Sequence, residues 1–330
     1  MRVVVALGGN ALLERTERPD AEIQERHVLR AVDALAPIAR DHELVVTHGN
    51  GPQVGLLAAE SEKDPELRHP YPFDVLGAQT QGMIGYWLLQ ALENVLPGRR
   101  VAALLTQTVV AISDPAFGNP QKFVGPVFDE QTAGRLSVER SWTVRRDEKG
   151  YRRVVALPQP RDIVEIAEVD ALLAAGSVVI CAGGGGVPVV RDPDGSLRGV
   201  EAVIDKDLTA ALLAEHVGAD ALVILTDVAA VEVDHGTPQA RPIGRTSVAE
   251  LRALPFAPGS MGPKVEAACR FVAATGGFAA IGRLVDVSRL LTGNAGTVVV
   301  EGGGPGNARD KRGVAGGPGG SSGNKSLFGR

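Results

Sequence analysis

The chain has 330 residues, of which 44% are hydrophobic and only 4% aromatic, so its core must be built from Val, Leu, Ile and Ala. The formal charge of −5 divides into +4 on residues 302–330 and −9 on the remaining body, which argues against nucleic-acid binding. The sequence contains neither a signal-peptide pattern nor an apolar run of membrane-spanning length, and Cys181 and Cys269 stand in apolar contexts that favour buried thiols. These features predict a cytoplasmic protein without a membrane partner.

The first part of the chain alternates between apolar strand patterns and helical spacing. The predicted elements are strand 2–7, helix 21–40, strand 44–47, a helix after Pro52, helix 74–96 and strand 101–112. Such alternation is typical of βαβ units around a mainly parallel sheet.

Residues 113–160 interrupt this rhythm, because they are rich in Pro, Gly and charge and lack helical periodicity. A loop of this length inside a compact domain is unusual unless it is functional. We therefore predict an inserted, protruding β-rich subdomain that serves as a lid.

The α/β pattern resumes after the insertion. The predicted elements are a helix from Asp162, strands 177–181 and 187–190, a helix from Asp207, strand 221–226, a helix from Pro263 and strand 297–300. Together these elements predict a three-layer α/β/α sandwich with a mainly parallel central sheet. The last segment, 302–330, is rich in glycine and has no apolar periodicity, which predicts a disordered basic tail.

Three predicted strands end in glycine-rich turns, which are Gly8-Gly9-Asn10, Gly49-Asn50-Gly51 and Gly183-Gly184-Gly185-Gly186. Ligands of open parallel sheets bind beyond the carboxyl ends of the strands. Glycine permits positive φ and lacks a Cβ atom, so successive N–H groups can converge on phosphate oxygens. Any one of these turns could be an ordinary tight turn, but three together indicate an anion site.

Several common site types are absent from the sequence. Neither Gly-x-Gly-x-x-Gly before a helix nor Gly-x-x-x-x-Gly-Lys-Ser/Thr occurs. The four-glycine run is followed by a strand pattern, so it does not fit a dinucleotide fingerprint. No Gly-x-Ser-x-Gly elbow stands between a strand pattern and a helix pattern, and zinc-ligand spacings are also missing.

Lysine is rare in this chain, since only seven of its 34 basic residues are lysines. Lys122, Lys206 and Lys264 each stand in or beside a turn or at the start of an element. A compact ammonium on a long stem suits a transferring phosphoryl group as a mobile point charge. Asp205 and Asp207 flank Lys206 and could position it or hold Mg²⁺; the alternative for each lysine is solvated surface charge.

Phosphoryl transfer requires in-line alignment and positive charge around the transferring group. Glycine amides, several lysines and one organising aspartate supply both. A carboxylate or carbamate nucleophile is already anionic, so no general base is needed. The sequence thus predicts a phosphotransferase with a small carboxyl-type acceptor.

The chain resembles the carbamate kinases of the amino acid kinase superfamily from residue 3 to residue 300. The motifs that carry the resemblance are Ala6-Leu7-Gly8-Gly9-Asn10-Ala11-Leu12, Thr47-His48-Gly49-Asn50-Gly51-Pro52-Gln53-Val54-Gly55, Gln79-Thr80-Gln81-Gly82-Met83-Ile84-Gly85-Tyr86, Val203-Ile204-Asp205-Lys206-Asp207, Leu225-Thr226-Asp227-Val228 and Gly259-Ser260-Met261-Gly262-Pro263-Lys264-Val265. This resemblance implies reversible, Mg²⁺-dependent transfer between ATP and carbamate that gives ADP and carbamoyl phosphate, often toward ATP in arginine catabolism.

The resemblance also implies roles for individual residues. Catalysis would rest on Lys122, Lys206, Asp207 and Lys264. The substrate would be bound by Gly8, Gly9, Asn10, Gly49, Asn50 and Gly51. The nucleotide would be bound by Asp205, Thr226, Asp227, Val228, Met261 and Lys264. Mg²⁺ would be held mainly by the nucleotide, without direct protein ligands.

The same resemblance implies one kinase domain over residues 1–301. Within it, 1–205 would be mainly the carbamoyl- and phosphoryl-binding lobe, 206–301 mainly the nucleotide-binding lobe, and 113–160 the lid; 302–330 would be the tail. The expected assembly is a homodimer with a continuous central sheet.

Two departures and two alternatives accompany this interpretation. Ala156-Leu157-Pro158 stands where the family usually has Pro-Ser-Pro, and the segment beyond Glu301 has no family counterpart. One alternative is a related kinase for a larger acid, of the acetylglutamate type, against which Lys122 and its inserted segment argue. The other is a metabolite-sensing module without catalysis, which retention of all three lysines disfavours.

Overall fold

The first strand, β1 (Arg2–Leu7), shows why the protein folds in layers. Val3 and Val5 belong to one hydrophobic cluster, whereas Val4 and Ala6 belong to another. Successive side chains of a strand point to opposite faces of the sheet. A strand that is apolar on both faces must therefore be covered by other elements on both sides.

The computed structural model describes residues 1–14, 16–256 and 259–302. The strands after β1 are β2 (Glu43–His48), β3 (Val101–Ala103), β4 (Gln107–Val109), β5 (Lys122–Phe128), β6 (Val144–Asp147), β7 (Gly150–Val155), β8 (Asp162–Ile163), β9 (Val178–Ile180), β10 (Val187–Arg191), β11 (Leu197–Gly199), β12 (Ala221–Thr226), β13 (Glu232–Val233), β14 (Arg241–Pro242), β15 (Arg245–Ser247), β16 (Phe278–Arg283) and β17 (Thr297–Val300). The α-helices are α1 (Ala21–Asp41), α2 (Gly51–Lys63), α3 (Phe73–Val95), α4 (Pro115–Gly118), α5 (Glu130–Glu139), α6 (Ile166–Ala174), α7 (Lys206–His216), α8 (Val248–Arg252), α9 (Met261–Thr275) and α10 (Val287–Leu291).

The central sheet has eight strands in the order β15-β17-β16-β12-β1-β2-β9-β3. All neighbours in it are parallel except β16 and β17. Residues of α6, α7 and α9 pack against one face, and residues of α1, α3 and α10 pack against the other. The predicted three-layer sandwich with a mainly parallel sheet is confirmed.

The predicted strand 101–112 is wrong as a single element, because the chain changes sheets between β3 and β4. β3 pairs with β9 in the central sheet, whereas β4 joins a four-stranded sheet with the order β11-β10-β4-β8. The side-chain amide of Gln81 binds both backbone groups of Thr106, accepting from its N–H at 2.9 Å and donating to its carbonyl at 3.0 Å. The N–H of Thr106 is therefore bound by a side chain at the point where the chain leaves the central sheet, while its carbonyl also accepts from the backbone N–H of Val187, the first residue of β10, at 2.8 Å.

The inserted segment 113–160 contains the expected β structure, a three-stranded antiparallel sheet with the order β5-β7-β6. It also contains α5, which the apparent lack of helical periodicity did not predict. Asp129 caps this helix by accepting from the backbone N–H of Thr132 at 2.7 Å. Ala133 and Leu136, three positions apart, are its buried residues. Two apolar positions on a short helix are too few to produce a clear sequence pattern.

One predicted helix start is wrong, and one strand of the central sheet was not predicted. No helix begins at Asp162; Asp162–Ile163 pairs with β4 instead, and α6 begins at Ile166. The sequence pattern also did not indicate β16, a strand of the central sheet that lies between β12 and β17.

Other expectations concern the cysteines, the membrane and the tail. Cys181 and Cys269 are buried free thiols, as predicted. Of the helices that the structure describes, none is both long and apolar enough to cross a membrane. Residues 303–330, which make up nearly all of the predicted tail, lie outside the described part of the chain.

Candidate active site

Two of the glycine turns meet at the carboxyl ends of β1 and β2. These strands pair in parallel up to Leu7 and His48, so their following turns leave the sheet side by side. A Cβ atom on Gly49 would lie only 3.0 Å from the backbone nitrogen of Gly9. A Cβ atom on Gly8 would lie 2.8 Å from the carbonyl oxygen of Leu225 at the end of β12. Glycine is therefore required for three strand ends to approach this closely.

The third glycine run supports the second turn from behind. Gly184, Gly185 and Gly186 all have positive φ, between 66° and 93°. A Cβ atom on Gly184 would lie 2.2 Å from Nδ2 of Asn50. The same Nδ2 donates to Oγ1 of the buried Thr80 at 2.9 Å. The side chain of Asn50 is thus held between the backbone of Gly184 and the hydroxyl group of Thr80.

Asp207 lies at the start of α7 and is only 2% exposed. Asp205 caps this helix by accepting from the backbone N–H groups of Asp207 and Leu208, at 2.9 and 3.2 Å. The two oxygens of Asp207 accept separately from two lysines: Oδ1 from Lys206, and Oδ2 from Lys264 on α9 at 3.1 Å. One carboxylate therefore fixes the positions of two ammonium groups.

The charge balance explains why this buried carboxylate stays ionised. Burial works to raise the pKa of Asp207, but the ammonium groups of Lys206 and Lys264 outweigh burial and hold the pKa below its usual value. The lysine side chains are 13% and 18% exposed, so they remain within reach of a ligand.

A cavity of about 310 Å³ lies above these groups. Lys122, at the start of β5, brings the inserted subdomain to the same cavity, and its side chain is exposed. The predicted site residues that line the cavity are Gly9, Gly49, Asn50, Gly51, Lys122, Asp205, Lys206, Asp207 and Lys264. The structure thus brings together the three isolated lysines and both facing glycine turns.

Of the other predicted residues whose side chains the structure describes, none lines the cavity. Gly8 lies against the carbonyl of Leu225 at the end of β12, and the backbone of Asn10 belongs to the short 3₁₀ turn Gly9–Ala11. Thr226 ends β12 and donates to Asp227 at 3.1 Å. Val228 follows in the next loop, and Met261 is the first residue of α9.

The structure adds lining residues that the sequence did not single out. Arg152 from β7, Phe123 from β5 and Ser260 before α9 are among them. Arg152 carried no distinguishing signal, because arginine is the common cation of this chain. Including Arg152, the cavity is lined by four cationic side chains and two carboxylates, a balance that favours an anionic ligand.

His48, at the end of β2, is buried and neutral. Burial lowers its pKa to about 4, and the nearby Lys206 ammonium acts in the same direction. Its Nδ1 donates to the carbonyl of Gly49 at 3.0 Å. A Cβ atom on Gly183 would lie 2.3 Å from its Nε2. The ring therefore packs against the glycine run and is part of the support of the second turn.

The chain matches known proteins over most of its length. The model of the amino acid kinase family matches residues 1–281. The carbamate kinase of Rhizobium meliloti (strain 1021) is 52% identical over 303 residues, covering 91% of this chain and 93% of the relative. That of Haemophilus influenzae is 50% identical over 302 residues, covering 91% and 97%. The structure of carbamate kinase from Giardia lamblia bound to AMP-PNP superposes with a TM-score of 0.87 at 38% identity, covering 91% and 98%.

Proposed function

The chain belongs to the amino acid kinase family and, within it, to the carbamate kinases, and we propose that it transfers a phosphoryl group reversibly between ATP and carbamate with Mg²⁺. The observation that carries the proposal is the pair of lysines held by one buried aspartate at the floor of a cavity rimmed by glycine turns. In the forward direction an oxygen of carbamate bonds to the γ-phosphorus of ATP as the bond from that phosphorus to the bridging oxygen of ADP breaks.

The two lysines on Asp207 act on the charge of the transferring group. Lys206 and Lys264 approach from two different helices, so they can contact different oxygens of the phosphoryl group. Because Asp207 holds them in place beforehand, little reorganisation is needed when charge develops. Asp207 is itself the organiser and not a base, since both of its oxygens accept from ammonium groups.

The glycine turns supply backbone donors and space. The turn of Gly8, Gly9 and Asn10 would face the phosphoryl group. The turn of Gly49, Asn50 and Gly51 would hold the carbamoyl end, and Gly51 begins α2, whose N-terminal amides favour an anion. Carbamate is an anionic nucleophile, so the site needs no general base.

The nucleotide would bind on the side formed mainly by residues 206–301. Thr226, Asp227 and Val228 at the end of β12 and Met261 at the start of α9 would contact it, with Asp205 and Lys264 beside its terminal phosphates. The acceptor side is formed mainly by residues 1–205. AMP-PNP bound to the Giardia lamblia relative supports an adenine nucleotide as the phosphoryl donor.

The residues present fit a Mg²⁺ ion carried by the nucleotide. Both oxygens of Asp207 are engaged by lysines, and Oδ1 of Asp205 accepts two backbone N–H groups. Among the described residues that line the cavity, Asp205 and Asp207 are the carboxylates, and they leave no open pair for direct ligation. Mg²⁺ bound to the phosphates would neutralise charge on the nucleotide, while the lysines neutralise the transferring group.

We also propose that the chain forms a homodimer through the face of α3 and the edge strand β3. Tyr86 and Leu105 on this face are 56% and 55% exposed. A second copy would cover these apolar side chains. Leu105→Arg should reduce the mass in solution to one subunit, whereas Val285→Arg, at an 83% exposed position elsewhere, should leave it unchanged.

A coupled assay for ATP formation from ADP and carbamoyl phosphate tests the proposed function, with and without Mg²⁺. Acetyl phosphate and acetylglutamyl phosphate serve as alternative donors. Preference for a larger acyl phosphate would support a relative of the acetylglutamate type. Nucleotide binding without turnover of any donor would support a sensing module. The direction toward ATP in arginine catabolism and the cytoplasmic location remain predictions from the sequence.

A further inference from the structure

Arg152 is a cation of the candidate active site to which the proposed function assigns no role. It lies on β7 of the inserted subdomain and lines the same cavity as Lys122, Lys206 and Lys264. Its side chain is 27% exposed, so it is neither a freely solvated surface arginine nor fully buried.

An irregularity in the neighbouring strand lies opposite Arg152. The pairing of β5 and β7 shifts between Val124 and Val127, and Arg152 pairs with Val127 directly after the shift. Gly125, within the shifted stretch, has φ of +65° and also lines the cavity. β-bulges are over-represented beside active sites. The backbone of the subdomain is therefore shaped at the position where this arginine meets the cavity.

The guanidinium of Arg152 is held at two points and retains donors that the described residues do not use. Its Nη1 donates to Asp147 at 3.1 Å, and its central carbon lies 5.7 Å from the ring centroid of Phe123. Its Nε is buried and has no hydrogen-bond partner among the described residues. A buried donor without a partner is costly, and active sites are where such groups recur. Asp147 and Phe123 thus fix the plane of a guanidinium whose donors are incompletely used.

We propose that Arg152 is a second anion-binding residue of the lid and donates to the phosphate oxygens of the acyl phosphate substrate together with Lys122. This proposal rests on the proposed function. A planar guanidinium can bind two phosphate oxygens at once and stays charged at every physiological pH. Lys122 contributes a mobile point charge from the same sheet. Asp207 offsets part of the charge of Lys206 and Lys264, and Asp147 offsets part of the charge of Arg152, so the positive charge around the cavity is only partly compensated and the lid cations add to it.

Steady-state kinetics of Arg152→Ala and Arg152→Lys test this role, with Arg146→Ala as the matched control. Arg146 is an exposed arginine of the same sheet, and it does not line the cavity. Arg152→Ala should lower kcat/KM for carbamoyl phosphate by ~10²-fold, while the Kd for ADP stays within about twofold. Arg152→Lys should recover only part of the loss, because an ammonium lacks the planar set of N–H donors with which a guanidinium binds two oxygens. Arg146→Ala should match the unchanged protein in both constants.

A binding measurement separates this proposal from the proposed function. Inorganic phosphate should raise the Tm of the unchanged protein and of Arg146→Ala, and the rise should be clearly smaller for Arg152→Ala. If the unchanged protein makes no ATP but the difference in the phosphate-induced rise of Tm is still observed, the proposed function is wrong and the phosphate-binding role of Arg152 is supported. If the protein is active and Arg152→Ala changes only its Tm in the absence of ligand, Arg152 is a structural residue of the sheet and the proposal is overturned. Equal losses for ADP and carbamoyl phosphate would also overturn it.

Discussion

Nζ of Lys264 lies 3.1 Å from Oδ2 of Asp207, although 57 positions separate the two residues in the chain. Lys206, the immediate neighbour of Asp207, binds the other oxygen of the same carboxylate. A buried carboxylate that bridges two lysines sets the distance between their ammonium groups. A change to the carboxylate or to either lysine should therefore disturb the same charge arrangement.

Asp207→Asn should lower turnover by ~10²–10³-fold with the fold intact. The amide keeps the shape of the side chain, but it removes the negative charge and can no longer accept from both lysines. The measurement is kcat for ATP formation, with circular dichroism to verify folding. Asp194→Asn, on the exposed turn between β10 and β11, is the matched control and should have no effect. A loss below about threefold would show that Asp207 has only a structural role at the start of α7 and does not position the lysines for catalysis.

Lys206→Ala and Lys264→Ala should each lower turnover by ~10²–10³-fold, because each removes one preorganised positive charge. Arginine at either position should rescue poorly, since its planar fork does not fit where a point charge contacts Asp207. Lys63→Ala, at an exposed position at the end of α2, is the control. Near-normal turnover of either alanine variant would reassign that lysine to surface charge.

Lys122→Ala should impair the reaction of carbamoyl phosphate and spare nucleotide binding. Lys122 reaches the cavity from the inserted subdomain, which lies on the acceptor side of the proposed site. We expect kcat/KM for carbamoyl phosphate to fall by ~10²-fold or more, with ADP binding by calorimetry within about twofold. Lys149→Ala, in the hairpin between β6 and β7, controls for loss of charge on the same subdomain. Equal losses for both ligands would place Lys122 on the nucleotide side.

His48 should make the protein less stable as the pH falls from 6.5 to about 4. Its pKa is about 4 in the folded protein against an ordinary value of 6.5, so between these limits the unfolded chain binds a proton that the folded protein does not. The free energy of unfolding should therefore decrease with falling pH, by up to about 3 kcal/mol from this residue.

Urea denaturation at several pH values between about 4.5 and 7 measures this dependence. His48→Gln should flatten it, because glutamine does not titrate. His235→Gln, at a histidine whose side chain is 75% exposed, should retain the slope of the unchanged protein. An unchanged slope in His48→Gln would assign the pH dependence to other groups.

The layers, the turns and the lysines could be predicted from the sequence because each leaves a local signal. Strands such as β1 are apolar on both faces, so their burial between two helical layers follows from the pattern itself. Close approach of backbones requires glycine, which marks positions such as Gly8 and Gly49. The scarcity of lysine in the chain makes Lys122, Lys206 and Lys264 conspicuous from composition alone.

Only the tertiary structure decided which of these residues lie next to one another and which contacts hold them in place. An apolar run that looks continuous is divided between two sheets as β3 and β4, and Gln81 binds the backbone of Thr106 at the point of change. Arg152, one arginine among many, pairs with β5 directly after the shift and lines the cavity. Asp207 gathers lysines from two helices. Each of these outcomes depends on contacts between positions distant in the chain, and local propensity and periodicity carry no information about such contacts.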